Sequence, residues 1–334
     1  MPVAGEMRRQ LRFGRFHVFK LFVFFLTVFA VITVLRTSVD SSVFKKLSFL
    51  KANKQPLIVV ITPTYKRATR LADLTRMANT LMLIKDLHWI VIEDSDTKLE
   101  CIERLLNRTG LPYSYLAAKT ISGYPKRGWY QRTVALNYLR KNRKQILDGH
   151  KEGVLYFGDD DNSYDIRLYN DYLRNVKKLG LWAVGMVGGT PVESPDVVNG
   201  TVVGFRVKWN PSRMFAVDMA GFGINLQMVF NSTAVFGTSC GRGGGAPETC
   251  LIEDMGLTRK DIEPFGYEKD FDRDIVVWHT KSNQPSYDMT KADLNGFIYE
   301  YKKKENTTEA ESPKKAEEKA QVKIEETVTK KQQE

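Results

Sequence analysis

Gly153-Val154-Leu155-Tyr156-Phe157-Gly158-Asp159-Asp160-Asp161-Asn162 decides the fold, because an apolar run of strand length ends abruptly in three adjacent carboxylates. Without polar interruption, such a run reads as a strand covered on both faces, the kind found in parallel sheets. Three like charges at its end repel one another, and something cationic must offset that repulsion. Oxygen ligands on a loop suit a hard divalent ion such as Mn²⁺ or Mg²⁺ that also clamps a diphosphate. The triplet is equally compatible with a solvated turn capping a helix that begins near Ile166.

On the N-terminal side, Leu57 to Ile61 reads as a strand, Leu71, Leu74, Ala78 and Leu81 mark one helical face, and Leu87 to Ile92 reads as the next strand. The alternation continues through helices over Lys98 to Asn107 and Arg132 to Lys144, the Gly153 to Phe157 strand, and a helix over Ile166 to Lys178. An α/β fold with a mostly parallel sheet and flanking helices follows. In such sheets ligands sit beyond the carboxyl ends of the strands, so Thr62 to Arg67, Asp94 and Asp159 to Asp161 should converge on one crevice. The first turn, Thr62-Pro63-Thr64-Tyr65-Lys66-Arg67, lacks the glycine fingerprint of nicotinamide binding. After Met186 the spacing becomes irregular, with a strand expected over Thr201 to Trp209, which suggests a second subdomain that builds an acceptor pocket.

The chain of 334 residues is 43% hydrophobic and carries a formal charge of +11. Much of that charge is Arg8, Arg9, Arg12, Arg15 and Lys20, crowded ahead of the apolar run Leu21 to Leu35. No stripe of basic residues with interleaved aromatics follows, which excludes nucleic-acid binding. At roughly 1.5 Å per residue the run spans about 22 Å, and residues 16–20 bring it close to 30 Å. The expectation is a cytoplasmic tail at 1–15, an uncleaved type II anchor at 16–36, a polar stem at 37–55 and a lumenal body; no small-x-small cleavage site follows Leu35. Sequons at Asn107, Asn199, Asn231 and Asn306 are compatible with that topology. Cys240 and Cys250 either bridge around a glycine-rich segment or pack as thiols together with Cys101, and the sequence leaves the pairing open. Residues 297–334 are mostly lysine, glutamate and glutamine and read as a disordered tail.

Several blocks then occur in order: Thr62-Pro63-Thr64-Tyr65, His88-Trp89 through Glu93-Asp94, Gln131-Arg132, Tyr156-Phe157 through Asn162, Val184-Gly185 through Gly188-Gly189, Pro211-Ser212-Arg213, Val217 through Phe222, and Val277-Trp278-His279-Thr280. Together they resemble the animal beta-1,3-glucuronosyltransferases of glycosyltransferase family 43, over roughly residues 56–285. The resemblance implies a Golgi type II membrane protein with a GT-A fold, a UDP-sugar-binding subdomain at 56–186, an acceptor-binding subdomain at 187–296, and a homodimer. It also implies Mn²⁺, a UDP-glucuronate donor, and a glycan acceptor ending in galactose, with inversion at the anomeric carbon.

Carried over residue by residue, Asp161 resembles the direct Mn²⁺ ligand, and Asp159 and Asp160 resemble contacts to uridine and ribose. Tyr65 resembles the residue that stacks on uracil and Asp94 the one that fixes it. Arg127, Arg132 and His279 match cationic positions that face the diphosphate and the sugar carboxylate, with Lys126 beside them. Lys281 departs from the family's usual arginine, which keeps the charge but loses the bidentate fork. Glu248 matches the general base, although a glutamate after proline in a first helical turn also serves the helix dipole. Around it the family's Glu-Ser-Ser-Leu-Leu is Glu248-Thr249-Cys250-Leu251-Ile252, approached by an unusual glycine-rich run. Glu193, Trp209, Arg213 and Asp218 resemble residues that hold two galactose units. Two rival readings are a transferase of another UDP-sugar and a catalytically silent, membrane-anchored glycan-binding protein.

Overall fold

In the computed structural model the described residues are 24–34, 54–283, 295 and 297. The expected cytoplasmic tail and almost all of the stem and C-terminal tail lie outside them, as do Asn306 and both ends of the expected anchor. Residues 24–34 are helical and exposed. Among the described residues no helix is long and apolar enough to cross a membrane.

The apolar strands set the architecture. β1 (Leu57–Thr64) is buried along almost its whole length. It pairs in parallel with β2 (Leu87–Glu93) on one side and with β4 (Gly153–Phe157) on the other, and β3 (Tyr113–Ala117) extends the parallel run beyond β2. Ile61 lies level with Ile90 and with Phe157, so these strands end along one edge of the sheet. Beyond β4 come β10 (Phe222–Asn225), the one antiparallel member, then β6 (Leu179–Leu181) and β11 (Ile262–Pro264). β10 and β11 come from beyond residue 186, so both halves of the chain build this sheet.

Helices cover both faces, as strands buried on two sides require. Leu74, Met77 and Leu81 of the Arg70–Leu81 helix pack with Ile102 and Leu106 of the Glu100–Thr109 helix on one face. Leu136 and Leu139 of the Trp129–Lys141 helix cover the other, with Phe215, Leu251 and Ile252. This mixed, mostly parallel sheet with flanking helices is the α/β class read from the sequence.

A second sheet, ordered β5 (Ser163–Tyr164), β12 (Val277–Trp278), β7 (Val184–Val187), β8 (Thr190–Val198) and β9 (Thr201–Arg206), stands beside the first. The β8–β9 turn is Asn199-Gly200, both with positive φ, as a two-residue hairpin turn demands. β12 joins β5 antiparallel and β7 parallel, which carries His279 back to the acidic triplet.

Three elements differ from expectation. Instead of an α-helix over Ile166 to Lys178, the chain forms a π-turn at Leu168–Tyr172 and a 3₁₀ turn at Leu173–Asn175, followed by β6. The wider winding lets Leu168, Tyr169 and Leu173 all reach the core, where Tyr169 packs edge-on against Tyr156 at 6.0 Å. The expected Arg132 to Lys144 helix begins earlier, at Trp129, and breaks before a separate turn at Arg143–Leu147. The strand expected to reach Trp209 stops at Arg206, and Trp209 to Arg213 form a turn.

Candidate active site

The strand ends open onto a cleft of about 480 Å³, lined by Thr64, Tyr65, Asp94, Lys126, Arg127, Arg132, the three aspartates and His279. Tyr65 follows β1 and is 56% exposed, leaving its ring available for stacking. Asp94 follows β2 and accepts from the Thr120 amide at 2.7 Å and the Thr120 hydroxyl at 2.8 Å, fixing the wall that continues from β3. Gln131 braces the same wall, donating to the Ala118 carbonyl at 2.8 Å. Gly128 has φ +74°, and a Cβ there would stand 2.8 Å from the Arg132 guanidinium and 3.0 Å from Pro63, so only a bare backbone lets the helix start this close to β1.

The three adjacent carboxylates have different partners. Asp159 pairs with the buried Arg132, whose guanidinium also donates to the Arg127 carbonyl at 3.0 Å. Asp160 is buried and accepts from the Thr64 hydroxyl at 2.6 Å and from Arg67 at 2.9 Å, so much of its bonding capacity is spent inside the protein. Asp161 makes no side-chain hydrogen bond among the described residues; its carbonyl is pinned by Arg76 at 2.6 Å and by the Thr280 hydroxyl at 2.5 Å. Burial, and then its two acidic neighbours, push the Asp161 carboxyl up to about 6. A loop-borne carboxylate with its oxygens uncommitted, facing a cleft, has the chemistry of a hard-cation ligand. Among the described residues no group of three or more metal-ligating side chains occurs, so a metal held by Asp161 would draw most of its shell from ligand and water.

Beside the cleft lies a second cluster, in which Glu193, Asp218, Arg213 and Glu248 act on one another's charge. Glu248 stands in the first turn of the Pro247–Asp254 helix and is buried. Burial is the main force lifting its carboxyl to about 7; Asp218 adds to this, and Arg213 and Arg132 oppose it. Arg213 is buried, with its guanidinium carbon 4.8 Å from the centre of the Trp209 ring, which is itself 48% exposed. Glu193 packs so closely on Gly188, at φ +62°, that a Cβ there would lie 1.8 Å from its carboxylate. Asp218 caps a 3₁₀ turn through Ala220 and stands 3.4 Å from His279, which joins this cluster to the cleft.

Lys281 is exposed and outside the residues lining the cleft. Asn107, Asn199 and Asn231 are all exposed. Cys240 and Cys250, whose pairing the sequence left open, form a disulfide.

Sequence reasoning missed the support beneath the triplet. Arg67 bridges Asp160 and Asp73 at 2.9 Å each and lies 5.1 Å from the Tyr65 ring centre. Burial works against its charge, and the two carboxylates outweigh that, leaving its pKa raised. Asp73 also accepts from Ser282 at 2.5 Å. The available signal was a charged residue, Asp73, on the apolar side of the first helix, which a purely hydrophobic reading passes over.

A family model described as glycosyltransferase family 43 matches residues 77–283. The chain is 38% identical over 269 residues to galactosylgalactosylxylosylprotein 3-beta-glucuronosyltransferase sqv-8 of Caenorhabditis elegans, covering 76% of this chain and 73% of that protein. It is 38% identical over 241 residues to galactosylgalactosylxylosylprotein 3-beta-glucuronosyltransferase 1 of Homo sapiens, covering 69% of this chain and 70% of that protein. Galactosylgalactosylxylosylprotein 3-beta-glucuronosyltransferase 2 of Rattus norvegicus is 36% identical over 250 residues, covering 72% and 75%.

Proposed function

This chain belongs to glycosyltransferase family 43, and from that premise we propose that it moves glucuronic acid from UDP-glucuronate to the 3-hydroxyl of a terminal galactose, inverting the anomeric carbon. The observation that carries the reading is the junction of two sites. A cleft holding an uncommitted carboxylate, Asp161, abuts a cluster holding a buried one, Glu248.

In this reading Tyr65 stacks on uracil and Asp94 borders the same pocket. Arg127, on the exposed rim, and His279 offer charge to the diphosphate and the sugar carboxylate. Arg132 stays paired with Asp159 and acts mainly by neutralising it and shaping the wall. Asp161 would hold Mn²⁺, which when bound supplies neutralising charge to the departing diphosphate. Glu248 accepts the acceptor hydroxyl's proton on the face opposite the leaving group, and a carboxyl lifted toward neutrality is a stronger base for that step. Trp209 offers an exposed aromatic face to sugar C–H groups, and Glu193, Arg213 and Asp218 offer polar groups to their hydroxyls. The division into donor part, 56–186, and acceptor part, 187–296, is one of role, since His279 belongs to the donor cleft.

The names of the relatives describe action on a galactosylgalactosylxylosyl-protein, and we carry that acceptor class to this chain. Attachment to the Golgi membrane with a lumenal body belongs to the same proposal. It is supported by the disulfide, which persists in oxidising compartments, and by three exposed sequons. Pairing of two copies rests on the resemblance alone.

The deciding experiment measures turnover by the full-length, detergent-solubilised chain with Mn²⁺, offering UDP-glucuronate, UDP-galactose, UDP-N-acetylglucosamine and UDP-xylose to galactose-terminated acceptors. Transfer from UDP-glucuronate, abolished by Glu248→Ala, is expected. Transfer from another donor would replace the donor assignment, a reading that Lys281 standing outside the cleft favours. Binding of UDP with no transfer from any donor would favour a glycan-binding protein.

A further inference from the structure

Glu248 stands inside a closed ring of the chain. Cys240 and Cys250 are joined across ten positions, with Cα atoms 5.9 Å apart, and Glu248 lies between them. The ring is compact: the Gly244 amide donates to the Gly241 carbonyl at 3.0 Å, the Gly245 amide to the Cys240 carbonyl at 2.8 Å, and the Ala246 amide to the Gly243 carbonyl at 3.1 Å. Gly243 is required by space, since a Cβ there would lie 2.2 Å from the Ala246 carbonyl oxygen and 2.8 Å from the Cys240 sulfur. Arg242 reaches from the ring to the far end of the same helix, pairing with Glu253 at 2.8 Å and Asp254 at 2.5 Å.

The ring also carries the neighbouring turn. A Cβ on Gly244, at φ +58°, would stand 2.3 Å from the Asn210 side-chain nitrogen Nδ2, so the Asn210 side chain is seated directly on bare backbone. Asn210 lies between Trp209 and Arg213, and its carbonyl accepts from the Arg213 guanidinium at 3.2 Å. Inside the helix, the Thr249 hydroxyl donates to the Phe215 carbonyl at 2.9 Å, a second tie between the glutamate's turn and the segment after Arg213.

Resting on the reading of Glu248 as the base, we propose that the Cys240–Cys250 disulfide is a positioning element for the reaction, holding the Glu248 turn and the Trp209–Arg213 turn as one piece so that the base meets the acceptor hydroxyl. Opening the ring leaves a glycine run with wide backbone freedom next to the reacting atoms, and displacements near 1 Å in such geometry cost on the order of 10²-fold in rate. The cleft is lined by other elements, and no residue from 240 to 250 borders it. Opening the ring is therefore expected to leave donor binding in place.

The test compares the oxidised full-length chain, the same chain reduced by a dithiol and alkylated, the reduced chain reoxidised, and the double variant Cys240→Ala/Cys250→Ala, with bond state checked by mass spectrometry. Opening the bond lowers kcat tenfold or more and raises the acceptor KM, leaves UDP affinity by calorimetry within twofold, and is reversed by reoxidation. Gly244→Ala, with the disulfide intact, gives the same split by unseating Asn210. Amide exchange rises in residues 240–255 and not in β1 or β4. Unchanged kcat and acceptor KM in the open form overturn the proposal, and so does loss of UDP binding with exchange rising throughout, which makes the bond a stability element only. If the oxidised chain transfers no sugar, the glucuronosyltransferase reading fails, and ring-confined exchange still decides whether the tether holds the two turns together.

Discussion

His279 Nδ1 stands 3.4 Å from Asp218 Oδ2, so an imidazole that lines the donor cleft faces a carboxylate of the neighbouring cluster. Asp218 is the main reason the His279 pKa is raised, and burial opposes it. A histidine raised in this way contributes stability that is full below its unfolded pKa, about 6.5, and is lost as pH rises through the folded value. Asp218→Asn keeps an oxygen to cap Ala220 and removes the charge. The His279 resonance should titrate at lower pH in that variant, the alkaline limb of donor kcat/KM should move in the same direction, and stability near pH 6 should fall by on the order of 1 kcal/mol. An unmoved His279 titration would sink the coupling.

Glu248 combines a functional charge with a structural cost. Its carboxyl, lifted to about 7 chiefly by burial, is protonated in the folded chain where it would be ionised in the unfolded one. The unfolded state then binds fewer protons between about 4.5 and 7, so stability falls as pH rises through that window. Glu248→Gln should remove this loss and raise the melting temperature at pH 8, corresponding to on the order of 1–3 kcal/mol. The same change should lower kcat roughly 10²- to 10⁴-fold. Wild-type kcat should climb with pH through about 7 on its acid side. A variant that loses both activity and stability at pH 8 would contradict the assignment.

Asp161 makes the metal proposal testable without turnover. Its carboxyl is lifted to about 6, so protons compete with a cation below that pH and the apparent Mn²⁺ affinity should weaken steeply from pH 6 to 5. Asp161→Asn should abolish measurable Mn²⁺ binding in a calorimetric titration with UDP present. Chelator treatment of the wild type should silence transfer and added Mn²⁺ restore it. Equal Mn²⁺ binding by wild type and Asp161→Asn would place the ligand elsewhere.

Strand ends were the legible part of the site. Apolar runs 57–61, 89–92 and 153–157 are buried strands for a simple reason: no polar face exists to turn toward water, and parallel pairing then aligns Tyr65, Asp94 and Asp159 along one edge. Helix winding was less legible. Leu168, Tyr169 and Leu173 have the apolar content of a helix, but the choice between α and π hydrogen-bond register depends on the aromatic cluster they meet. β10 and β11 are short runs whose partner β6 lies more than forty residues earlier in the chain, and nothing local marks that pairing. His279 was found by resemblance and not by pattern, since it reaches the cleft only because β12 inserts between β5 and β7. The Arg67–Asp73–Asp160 support was hidden because a buried ion pair has no periodic signature.

Arg70 and Glu93 show what such hidden pairs contribute. Their contact is 2.6 Å with both side chains essentially inaccessible, and the Tyr115 hydroxyl donates to the second Glu93 oxygen at 2.5 Å. Glu93 immediately precedes Asp94, so the pair lies directly beneath the donor cleft and joins the first helix to the end of β2. A buried pair is worth little against a well-packed apolar replacement, whereas removing one partner strands the other charge without solvent. Arg70→Met should therefore lower unfolding stability by about 3–5 kcal/mol in urea. Combining it with Glu93→Gln should recover a substantial part of that loss, since the remaining amide keeps an acceptor for Tyr115. If the double variant is as unstable as the sum of the two single ones, the pair is uncoupled and the helix is held to β2 by its apolar contacts alone.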